Sequence, residues 1–213
     1  PIFGAFNRGG SDVTAQYLTA ARATKSKNSQ ATVLHANFTD VQGIAAADPK
    51  LIPNAAYNKV MSYDDALALG AEVLHHRVFD IARKYNTPIL VRRSFAQNEN
   101  GEFLRGFDPR EKGTFVKERC SPEDYSTNPN KEVVGIGYQQ SGEGYALTVV
   151  GPEIHSKPDI ISGIEAALAS NRITPAIIKG GNNYISFKVP GNLDTVQSAV
   201  KTLYGIFFGK ISR

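Results

Sequence analysis

The stretch "FNRGGSDVTAQYLTAA", residues 6–21, places an arginine, two glycines and a serine directly before a helical pattern of apolar residues. Ser11 is expected to cap that helix. Gly9 and Gly10 allow backbone N–H groups to approach an anion, which the helix dipole also favours. Arg8 can bind a carboxylate through two parallel hydrogen bonds. The stretch therefore indicates a phosphate or carboxylate site, with a tight turn and a cap as the alternative.

A second polar pair, Thr39 and Asp40, follows the β-rich run "ATVLHANF" at 31–38 and opens a loop rich in Pro, Gly and Asp at 39–54. Layered α/β proteins bind ligands beyond the carboxyl ends of their strands, so both residues are candidate ligand contacts. The alternative is a local turn made by their own side chains.

The elements that must position these residues alternate between helix and strand. The pattern predicts a helix at 11–24, strands at 31–38 and 88–93, helical spacing at 62–86, and an edge strand at 1–6. Such an order is typical of an α/β layer with a parallel sheet.

The second half of the chain has a different pattern. Residues 94–131 show no sustained periodicity, so we predict a linker there, with a hairpin at 102–116. The remainder predicts strands at 132–138, 144–150, 174–179 and 183–189, and helices at 159–171 and 193–207. This order is that of a split-βαβ, ferredoxin-like unit.

Composition narrows the class of protein. The chain has 213 residues, 41% hydrophobic and 21% charged, which fits a globular protein of one large or two small domains. The net charge is +4, and residues 1–94 carry the excess, with 11 Lys and Arg against 7 Asp and Glu. No basic block is interleaved with aromatic residues, so a small anionic ligand is favoured over nucleic acid.

Membrane and metal sites are not predicted. No apolar run approaches the roughly 20 residues of a membrane span, and the first 20 residues lack a signal-peptide pattern, so we expect a cytoplasmic protein. The adjacent His75 and His76 would point in different directions from a helix, which argues against a shared metal ion. Cys120 has no intrachain disulfide partner, and a catalytic role for it is not favoured.

Three segments in this order resemble the aspartokinases of the amino-acid kinase family: "RGGSD", "FTDVQGIAAADPKLIPNA" and "MSYDDALALGAEVLHHRVFDIARKYNTPILVRRSF". The segment "EVVGIGYQQSGEGYALTVVG" looks like the beginning of an ACT domain. The resemblance implies a partial amino-acid-kinase layered sheet (α/β) at 1–95, a linker at 96–130, and a ferredoxin-like (ACT) α+β regulatory domain at 131–213.

The resemblance also implies an activity. Aspartokinases transfer the γ-phosphoryl group of ATP, with Mg²⁺, to the side-chain carboxylate of L-aspartate, on the route to lysine, threonine and methionine. In that family a lysine-containing glycine-rich strand and loop come before "RGGSD", so this chain is expected to be a C-terminal portion without turnover alone. The alternatives are a non-catalytic, amino-acid-sensing regulatory subunit and another amino-acid kinase.

By the same resemblance, the residues of the catalytic part have roles. Arg8 and Asp12 would be catalytic, and the substrate aspartate would be held by Arg8, Gly9, Gly10 and Ser11. The nucleotide would be bound by Thr39, Asp40, Gly43 and Lys50. Departures from the family's pattern occur at Ala45, Lys50 and Glu72.

In the ACT-like part, an amino-acid effector is expected near the start of the helix predicted at 159–171. The candidate residues are Glu153, Ser156, Lys157, Asp159, Ile160, Asn182 and Asn183. Threonine or no ligand is preferred over lysine, because no acid is available for a second ammonium group. A homodimer through this domain is also expected, and a fold used only for dimerisation is the alternative.

Overall fold

The computed structural model describes residues 10–26, 33–70, 74–94 and 113–209, which contain two four-stranded sheets and their helices. The first unit consists of helix α1 (Gly10–Lys25), strands β1 (His35–Thr39) and β2 (Val60–Ser62), helices α2 (Tyr63–Ala68) and α3 (His76–Tyr85), strands β3 (Ile89–Arg93) and β4 (Thr114–Lys117), and helix α4 (Pro122–Ser126). The second unit consists of strands β5 (Gly135–Ser141) and β6 (Gly144–Val150), a 3-10 helix (Ile154–Ser156), helix α5 (Pro158–Ser170), strands β7 (Ile177–Gly181) and β8 (Tyr184–Pro190), and helix α6 (Leu193–Phe208).

Local sequence signals explain where several helices begin and end. The Ser62 side chain accepts a hydrogen bond from the Asp65 backbone, and Asp65 accepts one from the Ser62 backbone, so a capping box starts α2. Ser121 and Asp124 make the same box at α4. Helix α3 ends at Asn86, which adopts the left-handed conformation that asparagine tolerates.

The first sheet has the strand order β1-β3-β4-β2. Strands β1 and β3 are parallel, with His35 opposite Ile89 and Thr39 opposite Arg93, as the sequence predicts. Strand β4 runs antiparallel to β3 and parallel to β2. The carboxyl ends of β1 and β3 therefore meet at one edge, where the polar residues that follow β1 are placed.

The structure corrects the sequence prediction in two places within this unit. Helix α1 already includes Gly10, whose carbonyl accepts from the Thr14 hydroxyl at 2.8 Å, so Ser11 lies inside the first turn rather than at the cap. The linker predicted at 96–130 is wrong over its described part, because 113–126 contribute β4 and α4 to the first unit. The predicted edge strand at 1–6 lies outside the described residues.

The second unit confirms the ferredoxin-like prediction. Strand β8 lies between β6 and β7 and is antiparallel to both, so β6, α5 and β7 form a split βαβ unit. Strand β5 pairs antiparallel with β6 on its other side. Alternate side chains such as Leu147, Val149, Ile185 and Phe187 are buried in the core that also takes Val200 of α6.

The two units pack against each other, and residues of the first unit contribute to the apolar core of the second. Ala46 and Ile52, from the loop after β1, belong to the apolar core of the second unit. The Ala46 carbonyl accepts from the Ile136 N–H at 2.8 Å. A Cβ placed on Gly137 would lie 2.5 Å from the Leu69 carbonyl oxygen, so the glycine allows the end of α2 to touch β5.

Candidate functional site

The first predicted site begins at the amino end of α1. Ser11 is exposed and Asp12 is half-buried, and the Ser11 hydroxyl lies 3.5 Å from Asp12 Oδ1. Gly10 opens the helix, and Arg8 and Gly9 lie outside the described residues. The structure thus places a helix amino terminus and one carboxylate where the sequence predicts an anion site.

A buried hydrogen-bond chain fixes α1 against the sheet. His35 Nδ1 lies 2.7 Å from Gln16 Oε1, and Gln16 Nε2 donates to the Thr87 hydroxyl at 2.5 Å. Because the amide oxygen can only accept, Nδ1 carries the proton. Burial lowers the pKa of His35, and the charge of Asp12 opposes that shift. This chain ties the first turns of α1 to the starts of β1 and β3.

The predicted nucleotide residues Thr39 and Asp40 lie at the carboxyl end of β1. The Thr39 hydroxyl donates to Asp40 Oδ1 at 2.9 Å, and the Thr39 carbonyl accepts from both the backbone N–H and the hydroxyl of Ser94. The Asp40 carboxylate is exposed, so its second oxygen remains available to a ligand. This edge position agrees with the sequence prediction, and a local turn contact is present as well.

The two other predicted nucleotide residues have different surroundings. Gly43 is buried, and a Cβ there would lie 2.5 Å from the Thr114 hydroxyl, so the glycine is needed for packing of the loop on β4. Lys50 is exposed, and its backbone N–H donates to Asp48 Oδ1 at 2.9 Å. Neither residue contacts Asp40 through a hydrogen bond or ion pair among the described residues.

The predicted effector residues divide into two groups. Glu153, Lys157, Asn182 and Asn183 line a cavity of about 860 Å³ between the two units. Ser156 and Asp159 are exposed and do not line it, and Ile160 packs against the core of the second unit. The structure therefore brings four of the seven residues together, and it does so against the first unit rather than at the start of α5 alone.

Sequence reasoning missed a buried contact beside this cavity, in which Asp65 binds Tyr125 and Asn183, two of the lining residues. Asp65 is fully buried, and its carboxylate accepts from the Tyr125 hydroxyl at 2.6 Å and from Asn183 Nδ2 at 2.9 Å. Burial, together with the nearby Asp65 carboxylate, raises the pKa of Tyr125, so its hydroxyl stays protonated and donates. Asn183 Oδ1 accepts from the Glu153 N–H at 3.4 Å.

The single cysteine also faces the cavity. Burial, with a further contribution from Asp65, raises the pKa of the Cys120 thiol to about 12. Nucleophilic cysteines need the opposite shift, because the thiolate is the reactive form. Cys120 therefore has a packing role among the residues that line the cavity.

Metal-binding and membrane-spanning features are both absent from the part of the chain that the structure describes. It contains no group of three or more His, Cys, Asp or Glu side chains arranged to hold a metal ion. Within the same residues, no helix combines the length and the hydropathy that crossing a bilayer requires. His75 caps α3 and its ring stacks on that of His76 at 4.3 Å.

Comparison with known proteins agrees with this arrangement. A model of the amino acid kinase family matches residues 4–93. The aspartokinase of Geobacillus stearothermophilus is 34% identical over 174 residues, which are 80% of this chain and 35% of the relative. The aspartokinase of Thermus thermophilus is 33% identical over 199 residues, which are 92% of this chain and 40% of the relative.

A solved structure shares the fold. The aspartate kinase of Clostridium acetobutylicum, described as an allosteric enzyme, superposes with a TM-score of 0.68 at 18% identity, over 95% of this chain and 59% of that chain. The chain spans less than half the length of the curated relatives named above. The family match and these relatives together show that the chain belongs to the amino acid kinase family and that its relatives there are aspartokinases.

Proposed function

We propose that this chain supplies the aspartate- and nucleotide-facing part of an aspartokinase, followed by an ACT-type regulatory domain. The protein that contains it would transfer the γ-phosphoryl group of ATP to the side-chain carboxylate of L-aspartate. The observation that supports this most is the position of Thr39 and Asp40 at the carboxyl edge of the parallel pair β1 and β3, within the matched residues 4–93.

The residue roles follow from chemistry at that edge. Phosphoryl transfer depends on positioning and on neutralising charge. Arg8 would bind the carboxylate of aspartate through its planar fork, with the backbone of Gly9, Gly10 and Ser11 as further donors. Asp12 would face the substrate ammonium group.

The nucleotide would lie over Thr39 and Asp40, with Lys50 towards its phosphates. Mg²⁺ would neutralise phosphate charge, and it is usually held by one or two carboxylates together with the phosphates. The exposed carboxylate of Asp40 fits that donor set, since one of its oxygens carries no hydrogen bond from Thr39.

The test of this function is an Arg8→Lys substitution in the natural-length protein that contains this sequence. Lysine keeps the charge but cannot bind a carboxylate through two parallel bonds. We expect the KM for aspartate to rise roughly tenfold with the KM for ATP unchanged, measured as aspartate-dependent ADP release. Arg22→Lys, exposed in the last turn of α1, is the matched control. Activity on aspartate that is indifferent to Arg8 would contradict the assignment.

Regulation by an amino acid is part of the proposal. The segment 151–157 precedes α5, and its amides, with those of the first turn of α5, would hold the carboxylate of threonine or lysine, with Glu153 or Asp159 near the ammonium group. The rival proposal is a regulatory subunit without catalysis. In that case the same loop would bind an amino acid, and Arg8→Lys would leave aspartate-dependent ADP release unchanged.

We also expect the second unit to self-associate into a dimer. Strand β7 is an outer strand of its sheet, and Ile177 and Ile178 on it are 54% and 48% exposed. Bare apolar sheet edges are generally paired or covered. Replacing both residues by lysine should shift the protein to monomer in sedimentation velocity, whereas Ile206→Lys, 53% exposed on α6, should not. A monomeric parent protein at high micromolar concentration would refute this expectation.

A further inference from the structure

The two outer strands of the first sheet differ in how they are covered. Strand β2 lies at one end of the order β1-β3-β4-β2, and its Met61 and Ser62 are buried. Strand β1 lies at the other end, where it pairs with β3 and has no second neighbour among the described strands. Phe38 on β1 is 55% exposed. The sheet therefore has a covered strand on one side and an exposed strand on the other.

Phe38 lies on the face of the sheet opposite to the one that α1 and α3 cover. These two helices pack on Ile89 and Val91 in one apolar core. Phe38 is the register partner of Arg92, which follows Val91 in β3, so both side chains point to the other face. Phe38 belongs to neither apolar core of the described residues. Parallel strands ordinarily lie in sheets with both faces covered, so this end of the sheet is incomplete.

A buried cation lies behind the exposed ring. Arg92 is buried, and its guanidinium carbon lies 6.0 Å from the centre of the Phe38 ring. This cation-π contact favours a fixed position of the ring on the sheet. The Nε atom of Arg92 has no hydrogen-bond partner among the described residues. A segment that covers Phe38 would also be placed to supply an acceptor, which a buried charge needs.

The helix that packs on β1 exposes further apolar surface. Helix α1 contacts β1, and its Tyr17 and Leu18 are both exposed. Because α1 covers the face opposite to Phe38, apolar side chains are exposed on both sides of the same outer strand. A strand added beside β1, with a layer of polypeptide on each face, would cover this surface.

The length of the relatives indicates what covers this surface. The chain makes up 35% and 40% of the two curated aspartokinases described above, so more than half of a protein of that length lies outside residues 1–213. Parallel strands are joined by crossovers within one polypeptide, usually through a helix. A continuation of the same polypeptide can therefore supply both the neighbouring strand and the layers on its faces.

We propose that the outer edge of β1, together with Phe38, Tyr17 and Leu18, is the surface on which the rest of the natural-length polypeptide packs, with at least one strand beside β1. The inference rests on the proposed function, under which the chain is one part of a longer kinase. It adds the place of contact, which that function does not specify. Its test needs no turnover, so the contact and the kinase activity can fail separately.

The experiment compares the rate of thiol labelling by a maleimide in the 213-residue chain and in the natural-length protein, with native cysteines replaced by serine. Phe38→Cys and Tyr17→Cys each place one thiol on the proposed surface. Ile206→Cys is the matched control, because Ile206 lies on α6 and is 53% exposed. We expect both surface thiols to react roughly tenfold or more slowly in the natural-length protein, since a covered site reacts only through local opening. The control thiol should react equally in both proteins.

Equal labelling of both surface thiols in the two proteins would overturn the proposal. It would also be overturned if the 213-residue chain became protected by itself at high concentration, because a second copy would then cover the surface. Thermal midpoints equal to those of the parent proteins should show that the variants are folded. Protection without aspartate-dependent ADP release would support the contact and contradict the kinase function, whereas unprotected thiols in an active enzyme would do the reverse.

Discussion

Replacing Asp65 by alanine should lower the free energy of unfolding by about 3 kcal/mol, measured by urea denaturation. The fully buried carboxylate accepts from the Tyr125 hydroxyl, the Asn183 amide and the Ser62 backbone. Alanine removes the protein acceptor of these three donors at a position where the carboxylate is fully buried, and the loss of several buried hydrogen bonds costs more than the loss of one surface contact.

The neighbouring Asp64→Ala is the matched control. Asp64 sits one residue earlier in α2, but its side chain is 67% exposed and pairs with Arg83 at the surface. We expect a loss below about 1 kcal/mol there. Similar losses in both variants would show that α2 depends on charge rather than on the buried contact. A double-mutant cycle of Asp65→Ala with Asn183→Ala should be non-additive, since the two side chains share one hydrogen bond.

A second large effect is expected at Gly151, which follows β6. A Cβ on this residue would lie 2.0 Å from the Glu132 carbonyl oxygen and 3.3 Å from Val133 Cα. Both of these neighbours are backbone atoms, which cannot rotate away as a side chain can. Gly151→Ala must therefore push apart the segment before β5 and the end of β6. We expect a loss of about 3 kcal/mol in the free energy of unfolding.

Gly163→Ala should have the opposite sign. Gly163 lies inside α5, and a Cβ on it would have no neighbour from outside its own helix within 4 Å, so alanine meets no obstacle there. The gain should be about 0.5–1 kcal/mol, because alanine restricts the unfolded chain and favours the helix. If Gly151→Ala were neutral in the same assay, the close approach of the two backbones would be wrong.

The second unit was the more predictable from sequence, because its signals are local. Asn182 and Asn183 form the turn between β7 and β8, and Pro190 with Gly191 separates β8 from α6. Turn residues of this kind bound the strands whatever their partners are. The predicted strands therefore agree with the observed ones to within about three residues, a typical boundary error.

The missed elements of the first unit depend on distant partners. Strand β2 has three residues and β4 has four, and Val60 pairs with Phe115 across most of the unit. Neither strand is long enough for an alternating pattern to be recognised. The capping role of Asp65 involves a residue only three positions away, while its contact with Asn183, 118 positions away, is visible only in the folded chain.

The loop that follows β1 connects a candidate nucleotide contact to the interior of the other unit. Asp40 lies at its exposed beginning, and Ala46 and Ile52 are fixed in the apolar core around α5 and α6. Separating the units would uncover apolar surface on both, so thermal unfolding should be one cooperative event. A rotation of the second unit would in turn displace the end of this loop, so under the proposed function an amino acid bound to the second unit would act on the nucleotide contact through this loop.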